Sequence, residues 1–371
     1  MDFEFTDDQV SLRDAVARWV DKGFTFERRH GIAKAGGRTR EVYAELAELG
    51  LAGLIVPEAH GGMGFGPVEA MVVMEELGRG LVNAPYAAAA LMAPALLQAG
   101  SPELQAAWLP KIAGAESLVI PAWQERGARY RLDKISTSAT AQGAGFALSG
   151  AKHVVPAADE ADAFIVPAML DGRVALFLVE KAAAGVEVKA YPTQDGARAG
   201  ELKLANAAAT LITKDGLAAL ETATDIGIAA ACAEGVGAMD KLVALTVEYL
   251  NTRKQFGVTL ATFQALRHRI ADVKMQLELG RSMSYFASLK LGELGAQRRR
   301  ALSQAKVQLG NSMRFVGQQC IQMHGGIGVT DEYIGSHYFK RLTVLEMTLG
   351  DTMHHLGEVS NRMQDTAGVF A

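Results

Sequence analysis

The chain reads as an α+β protein: an N-terminal helical domain over residues 1–115, a middle antiparallel β domain over 116–214 and a C-terminal four-helix bundle over 215–371. Apolar residues recur at helical spacing up to about Ile112. Between Leu118 and Ile212 that period gives way to short apolar runs separated by Gly, Asp and Asn. From Leu217 the helical spacing returns and persists nearly to the end. With 371 residues, 49% apolar and 21% charged, the chain has material for two or three packed layers in an ordinary globular balance.

At the N-terminus, Thr6-Asp7-Asp8-Gln9 offers an N-cap with Gln9 at the capping-box position. Val10, Leu12, Val16, Trp19 and Val20 form the stripe behind it. A second helix is expected over Arg40–Leu49, stopped by Gly50. The loop Leu54–Gly66 leads to a third, Pro67–Gly78, and Asn83–Leu97 and Ser101–Ile112 complete the set. No Gly-Lys-Ser/Thr follows GGMGFG in that loop, so it is not read as a P-loop.

The middle region predicts strands at Leu118–Ala122, Ser136–Ala141, Phe146–Ser149, Ala163–Ala168, Val174–Val179, Val186–Ala190, Ala199–Leu204 and Thr210–Ile212. Gln142–Gly145 reads as a hairpin turn. Four helices follow, near 217–255, 261–293, 297–322 and 332–366. They are long enough to bury their stripes against one another, with Met275, Met283, Met313 and Met323 as core filling.

A net charge of −4 gives no attraction to nucleic acid or to an anionic membrane surface. Arg298–Arg300 reads as a solvated helix turn. The two cysteines, Cys232 and Cys320, lie in apolar helical sequence without a partner at metal-ligand spacing. They read as reduced, buried thiols of a cytoplasmic protein, and no metal site is expected. Met1–Gln9 runs straight into an amphipathic pattern with no basic-then-apolar leader. Apolar stretches such as Tyr86–Gln98 are too short and alanine-rich to span a bilayer.

Two stretches carry the chemistry. In EYLNTRKQFGVTLATFQALRHR (Glu248–Arg269), Tyr249 and Arg253 are four residues apart on one helix face, and Gly257 falls where a left-handed helix stop is expected. An Arg at a helix end beside Phe256 suits a diphosphate, because its planar fork donates in pairs; the plain alternative is a solvated Arg on an amphipathic helix. In CIQMHGGIGVTDEY (Cys320–Tyr333), Gly325, Gly326 and Gly328 let a ligand approach the backbone, with Gln322 and His324 as polar neighbours. The glycine spacing is not the dinucleotide fingerprint, and no strand precedes it.

Together these stretches resemble the acyl-CoA dehydrogenase family. Its pattern is Tyr-x-x-x-Arg-x-x-Phe-Gly, a Gln soon after (here Gln264), and Gln-x-x-Gly-Gly well downstream. VPEAHGGMGFG and EELGR look like its N-terminal domain, and the domain order is that of its fold. YPTQDG, HYFKRLT and GDTMHH resemble one branch, the small subunit of the pimeloyl-CoA dehydrogenase type. The resemblance implies FAD, an acyl-CoA substrate from fatty or aromatic acid degradation, and an electron-transfer flavoprotein or similar acceptor. A carboxylate base takes the α proton while hydride leaves the β carbon for the flavin. Carried over, Arg253, Phe256, Gln264, Gln322, Gly325 and Gly326 hold the diphosphate and adenosine end. The site is then shared between subunits, with Arg253 and the Gln322–Gly326 loop expected from different chains, in a homodimer, a homotetramer or a heterotetramer with a Glu-bearing family member.

The flavin-ring segments depart from the family pattern. Thr-Glu-Pro-Gly-Ala-Gly-Ser-Asp becomes Gln124-Glu125-Arg126-Gly127-Ala128-Arg129-Tyr130, and Lys-x-Trp-Ile-Thr-Asn becomes Lys152-His153-Val154-Val155-Pro156-Ala157. Val154 and Pro156 thus replace the ring-facing Trp and Thr. Trp123 and Gln124 are the substitutes the chain offers, with a core role the alternative for Trp123. Leu349 occupies the position of the usual Glu base, and the alternative family position is Gly227, near Asp225. Glu234, Glu346 and Asp351 also flank these places, and all four carboxylates have surface or capping roles as their plain reading. His354 and His355 point about 100° apart on a helix and are read as structural. The readings left open are an FAD-dependent acyl-CoA dehydrogenase subunit lacking the usual base, a non-catalytic partner that completes a neighbour's FAD site, and a flavin oxidase or monooxygenase on the same fold.

Overall fold

The computed structural model describes residues 5–363 except Ala144. Helix α1 (Asp7–Gly23) starts at the expected reciprocal cap: Thr6 Oγ1 accepts from the Gln9 N–H, and the Gln9 side chain accepts from the Thr6 N–H. Helix α2 (Phe26–Lys34) has no counterpart in the sequence reading. It lacks an apolar stripe, and the residue it buries is Arg29, which donates to the Leu81 carbonyl and to His337 Nδ1. Helices α3 (Arg40–Glu48) and α4 (Pro67–Arg79) lie where expected, and Gly50 takes the positive φ that ends the first of them. The helix expected over Asn83–Leu97 begins later. Pro85 holds the residue before it out of the helical region, so a π-helical turn at Ala87–Met92 leads into α5 (Ala93–Leu97). Ser101 caps α6 (Pro102–Ala113).

Seven strands follow: β1 (Val119–Pro121), β2 (Ser138–Gln142), β3 (Gly145–Pro156), β4 (Ala163–Leu170), β5 (Arg173–Glu180), β6 (Val186–Pro192) and β7 (Arg198–Thr213). The eight expected runs become seven because the last two fuse through Asn206, which adopts φ +53°, a conformation Asn tolerates. The order β4-β2-β3-β7-β5 closes on itself through β5 and β4, with β2 and β4 joined by a single residue pair; β1 adds to β4 and β6 to β7. The expectation of a wholly antiparallel sheet fails in part. β1 and β4 pair parallel, as does the single Ser138–Met169 contact, because these strands are not joined by hairpins and topology alone decides their direction. β2 and β3 form the expected hairpin with Gln142 opposite Gly145, although Ala144 of its turn lies outside the described residues.

Helix α7 (Gly216–Thr252) ends before the expected stop. Arg253 N–H still reaches the Tyr249 carbonyl, but the chain then forms a small hairpin, β8 (Lys254–Gln255) and β9 (Val258–Thr259). Phe256 and Gly257 both take positive φ at its turn, so Gly257 serves a hairpin and not a helix cap. Helices α8 (Gln264–Lys290) and α9 (Gly295–His324) match expectation. The last expected helix is two, α10 (Ile334–Met347) and α11 (Thr352–Met363), broken where Leu349 and Gly350 take φ +59° and +115°. Its expected final residues, 364–366, lie outside the described residues.

Two compact units result. The helical unit contains the described residues of 1–29, 67–82 and 228–371, and the sheet unit comprises 30–66 and 83–227 without Ala144. In the helical unit α4 meets α7 backbone to backbone: a Cβ at Gly78 would overlap the Glu234 carbonyl, and one at Gly237 the Glu75 carbonyl. Met239, Leu277, Leu302, Leu309, Met313 and Val316 lie in the core of this unit. Met313 and Met323 are buried as expected and Met283 packs at the core's margin, but Met275 is exposed, on the side of α8 away from it.

Candidate functional site

In the helical unit the two glycine- and arginine-bearing motifs meet at one end of the bundle. The Tyr249 ring in the last turn of α7 lies 4.6 Å from that of His324, the last residue of α9. The Arg253 carbonyl accepts from the Leu260 N–H at 2.9 Å, and Phe256 meets Phe263 edge to face at 6.1 Å, immediately before Gln264. Arg253, Phe256, Gln264, Gln322, Gly325 and Gly326 are all exposed, Phe256 at 90%. A Cβ on Gly325 or Gly326 would meet nothing within 4 Å, and Gly325 adopts φ +65°. An open backbone surface and an exposed guanidinium on one chain suit a diphosphate. Tyr249 and His324 bring the two motifs together within one chain.

The sheet unit carries the second group of expected residues. Trp123 and Gln124, both half-buried, follow β1, and the Gln124 carbonyl accepts from the His153 N–H at 2.8 Å. That bond holds the Gln124 stretch against β3 where the strand bulges between Lys152 and Val155; Val154 there takes φ +54° and is exposed. Beneath it lies a polar cluster that sequence reasoning did not single out. Glu125 Oε1 accepts from Lys152 Nζ at 2.6 Å, from Thr137 Oγ1 at 2.7 Å and from Thr137 N–H at 3.1 Å, while Oε2 accepts from Ser136 N–H at 2.6 Å. Lys152 Nζ also donates to the Pro167 carbonyl at 2.7 Å. Burial alone would raise the Glu125 pKa, but Lys152 and these hydrogen bonds carry it down to about 2. Burial lowers that of Lys152 to about 8, against the pull of Glu125. The alternation of β3 held a signal, since Lys152 stands among its inward positions with Leu148 and Val155.

Leu349 sits at the break between α10 and α11, half-buried against the helical core. The carboxylates beside it are engaged as caps. Glu346 Oε1 accepts from the Thr352 N–H at 3.0 Å and hydroxyl at 2.6 Å and pairs with Arg314 at 3.2 Å, and Asp351 Oδ1 accepts from the His354 N–H at 2.8 Å. Glu234 is paired with Arg341 at 2.5 Å. Asp225 is buried in the part of α7 that belongs to the sheet unit.

The break itself is clamped. Lys306 Nζ donates to the carbonyls of Leu345, Glu346 and Gly350 at 2.9, 2.8 and 2.9 Å. His355 donates from Nε2 to the Leu349 carbonyl at 3.0 Å, which leaves Nδ1 to accept from Ser303 Oγ at 3.2 Å. Burial, then the nearby Lys306 charge, pushes the His355 pKa down to about 3, so the ring is neutral. Lys306 was also missed, although it stands at i+4 from Leu302 and three before Leu309, in the core stripe of α9.

Comparisons with known proteins place these observations. Residues 6–116, 122–207 and 214–364 match the N-terminal, middle and C-terminal domains of acyl-CoA dehydrogenases. The acyl-CoA dehydrogenase FadE27 of Mycobacterium tuberculosis is 28% identical over 99% of this chain and 100% of its own. The ChsE4-ChsE5 complex of Mycobacterium tuberculosis contains a chain that superposes with a TM-score of 0.89 at 28% identity, over 99% of this chain and 100% of that one. A steroid ACAD, Tcur3481-Tcur3483, gives the same TM-score of 0.89 and identity of 28%, covering 98% of this chain and 99% of that chain.

Proposed function

Because the chain belongs to the acyl-CoA dehydrogenase family, we propose that it is an FAD-dependent α,β-dehydrogenase subunit for an acyl-CoA thioester that works beside a second, Glu-bearing chain. The observation that carries this reading is the pairing of an intact diphosphate surface with Leu349 at the base position. Arg253 donates in pairs to phosphate oxygens, and the open Gly325–Gly326 backbone admits the diphosphate closely. Gln264 and Gln322 flank that surface with amide groups for the adenosine end. In the sheet unit, the Gln124 carbonyl and the bulge at Val154 shape the stretch that would border the flavin ring. Bound FAD supplies the acceptor for the hydride that leaves the β carbon.

Proton removal needs a carboxylate within hydrogen-bond reach of the α carbon. Leu349 cannot take a proton, and Glu346 and Asp351 are spent as helix caps. This favours a role beside a base-bearing partner, in which the chain completes an FAD site and contributes little chemistry alone. A heteromeric assembly is compatible with the two-name complexes that resemble it. The acceptor of the electrons is then an electron-transfer flavoprotein or similar carrier, and the setting is acyl-CoA degradation in the cytoplasm.

Anaerobic mixing of the FAD-bound protein with a panel of acyl-CoAs tests this. The chain alone should bleach its flavin slowly or not at all, since a general base contributes about 10²–10⁴ in rate. Co-expression with a Glu-bearing family member should restore bleaching, and Leu349→Glu should recover part of it. Rapid bleaching by the unmodified chain alone would refute the reading and make Asp225 the first residue to replace.

A further inference from the structure

His324 stands where three helices converge. It is buried, with its ring centroid 4.6 Å from Tyr249 at the end of α7 and 4.9 Å from Tyr333, which precedes α10. The Cys320 carbonyl, 2.8 Å from Nδ1, can only accept, so Nδ1 carries the proton. Nε2 of the neutral ring therefore accepts, and the Tyr333 hydroxyl donates to it at 2.8 Å. Burial lowers the His324 pKa and outweighs the Cys320 bond, in keeping with the neutral form.

These contacts act on both halves of the diphosphate surface. Tyr249 opens the turn that ends at Arg253, through the Arg253 N–H bond to its carbonyl. His324 is followed directly by Gly325, where the chain leaves the helix at φ +65°. A helix C-terminus presents bare carbonyls, which repel a phosphate. Here the Gly325 N–H covers the carbonyls of Gln322 and Ile321, and the His324 Nδ1–H covers that of Cys320. The negative end of α9 is thus masked where the glycine loop begins.

We propose that His324 is a positioning residue that, held between Tyr249 and Tyr333, fixes the Gly325–Gly326 backbone to the Arg253 arm and masks the end of α9, so that one chain presents a single surface to a dinucleotide diphosphate. This rests on the FAD reading above and adds the residue that organises its phosphate end. His324→Phe keeps a ring between the two tyrosines and removes both hydrogen bonds; Tyr333→Phe removes only the donor to Nε2.

The test follows FAD release from the purified holoprotein on dilution by flavin fluorescence. ADP competition probes the diphosphate end alone, and thermal melting is recorded on the same samples. FAD and ADP dissociation constants should both rise, by about tenfold in His324→Phe and about fivefold in Tyr333→Phe, while the flavin absorption bands stay those of the parent. If the variants melt lower but bind FAD and ADP as tightly as the parent, His324 is only structural and the inference fails. If His324→Phe does not fold, Tyr333→Phe alone decides by the same two constants. A parent that binds neither FAD nor ADP would instead overturn the FAD reading, and the inference with it.

Discussion

Lys152 Nζ lies 2.6 Å from Glu125 Oε1, with both side chains buried in the sheet unit. A buried ion pair is tolerated when hydrogen bonds use its remaining polar atoms, as Thr137, Ser136 and the Pro167 carbonyl do here. Removing one partner strands the other. Lys152→Met should therefore cost about 3–5 kcal/mol, read as a lower urea midpoint with an unchanged slope. The double replacement Glu125→Gln with Lys152→Met should recover part of that loss.

The same pair predicts an acid response. The Glu125 pKa is lowered from 4.5 to about 2 in the folded chain, so the unfolded chain binds the proton more readily. The stabilisation is fully present above 4.5 and is lost as pH falls through that value towards about 2. Urea midpoints measured between these limits should fall more steeply for the parent than for Glu125→Gln. Equal acid slopes would show that Glu125 is not so depressed.

Lys306 should be a stability determinant of the α10–α11 break. Lys306→Met fills similar space but leaves three carbonyls without their donor. The expected loss is about 3 kcal/mol, since bonds from a charged group contribute about 1.5–3 kcal/mol each and part is regained by apolar packing. Amide exchange should accelerate first over residues 345–355. Uniform acceleration across the bundle would argue against a local clamp.

Arg253→Ala should weaken FAD retention at least about tenfold, because the exposed guanidinium offers the charge-assisted bonds, worth roughly 1.5–3 kcal/mol, that the glycine loop lacks. Fluorescence of released flavin after gel filtration provides the measure. Full retention by the variant would remove Arg253 from the site.

Much of this architecture was legible because period and punctuation agree. The box at Thr6 and Gln9, the stop at Gly50 and the alternation of the strands are local signals, and each element formed there. What escaped depends on distant partners. α2 is held by Arg29, whose acceptors are 52 and 308 residues away, so its own window shows no stripe. The break at Leu349 has a non-glycine residue in a left-handed conformation, set by Lys306 and His355. The Arg253 and Gly325–Gly326 stretches could be picked out by their resemblance to a family pattern, but their meeting within one chain required the Tyr249–His324 contact. Capping was the plain reading of Glu346 and Asp351, and both cap α11, but their partners Thr352 and Arg314 could not be named from spacing.

The three carbonyls around Lys306 also make its amine a chemical clock. A fully buried ammonium held by three acceptors is shielded from acylating reagents, while exposed amines such as that of Lys274 are open to them. Acetylation at Lys306 therefore waits for the α10–α11 junction to open. Pulse labelling read by peptide mass would count those openings in the intact protein, without a substitution and without any turnover.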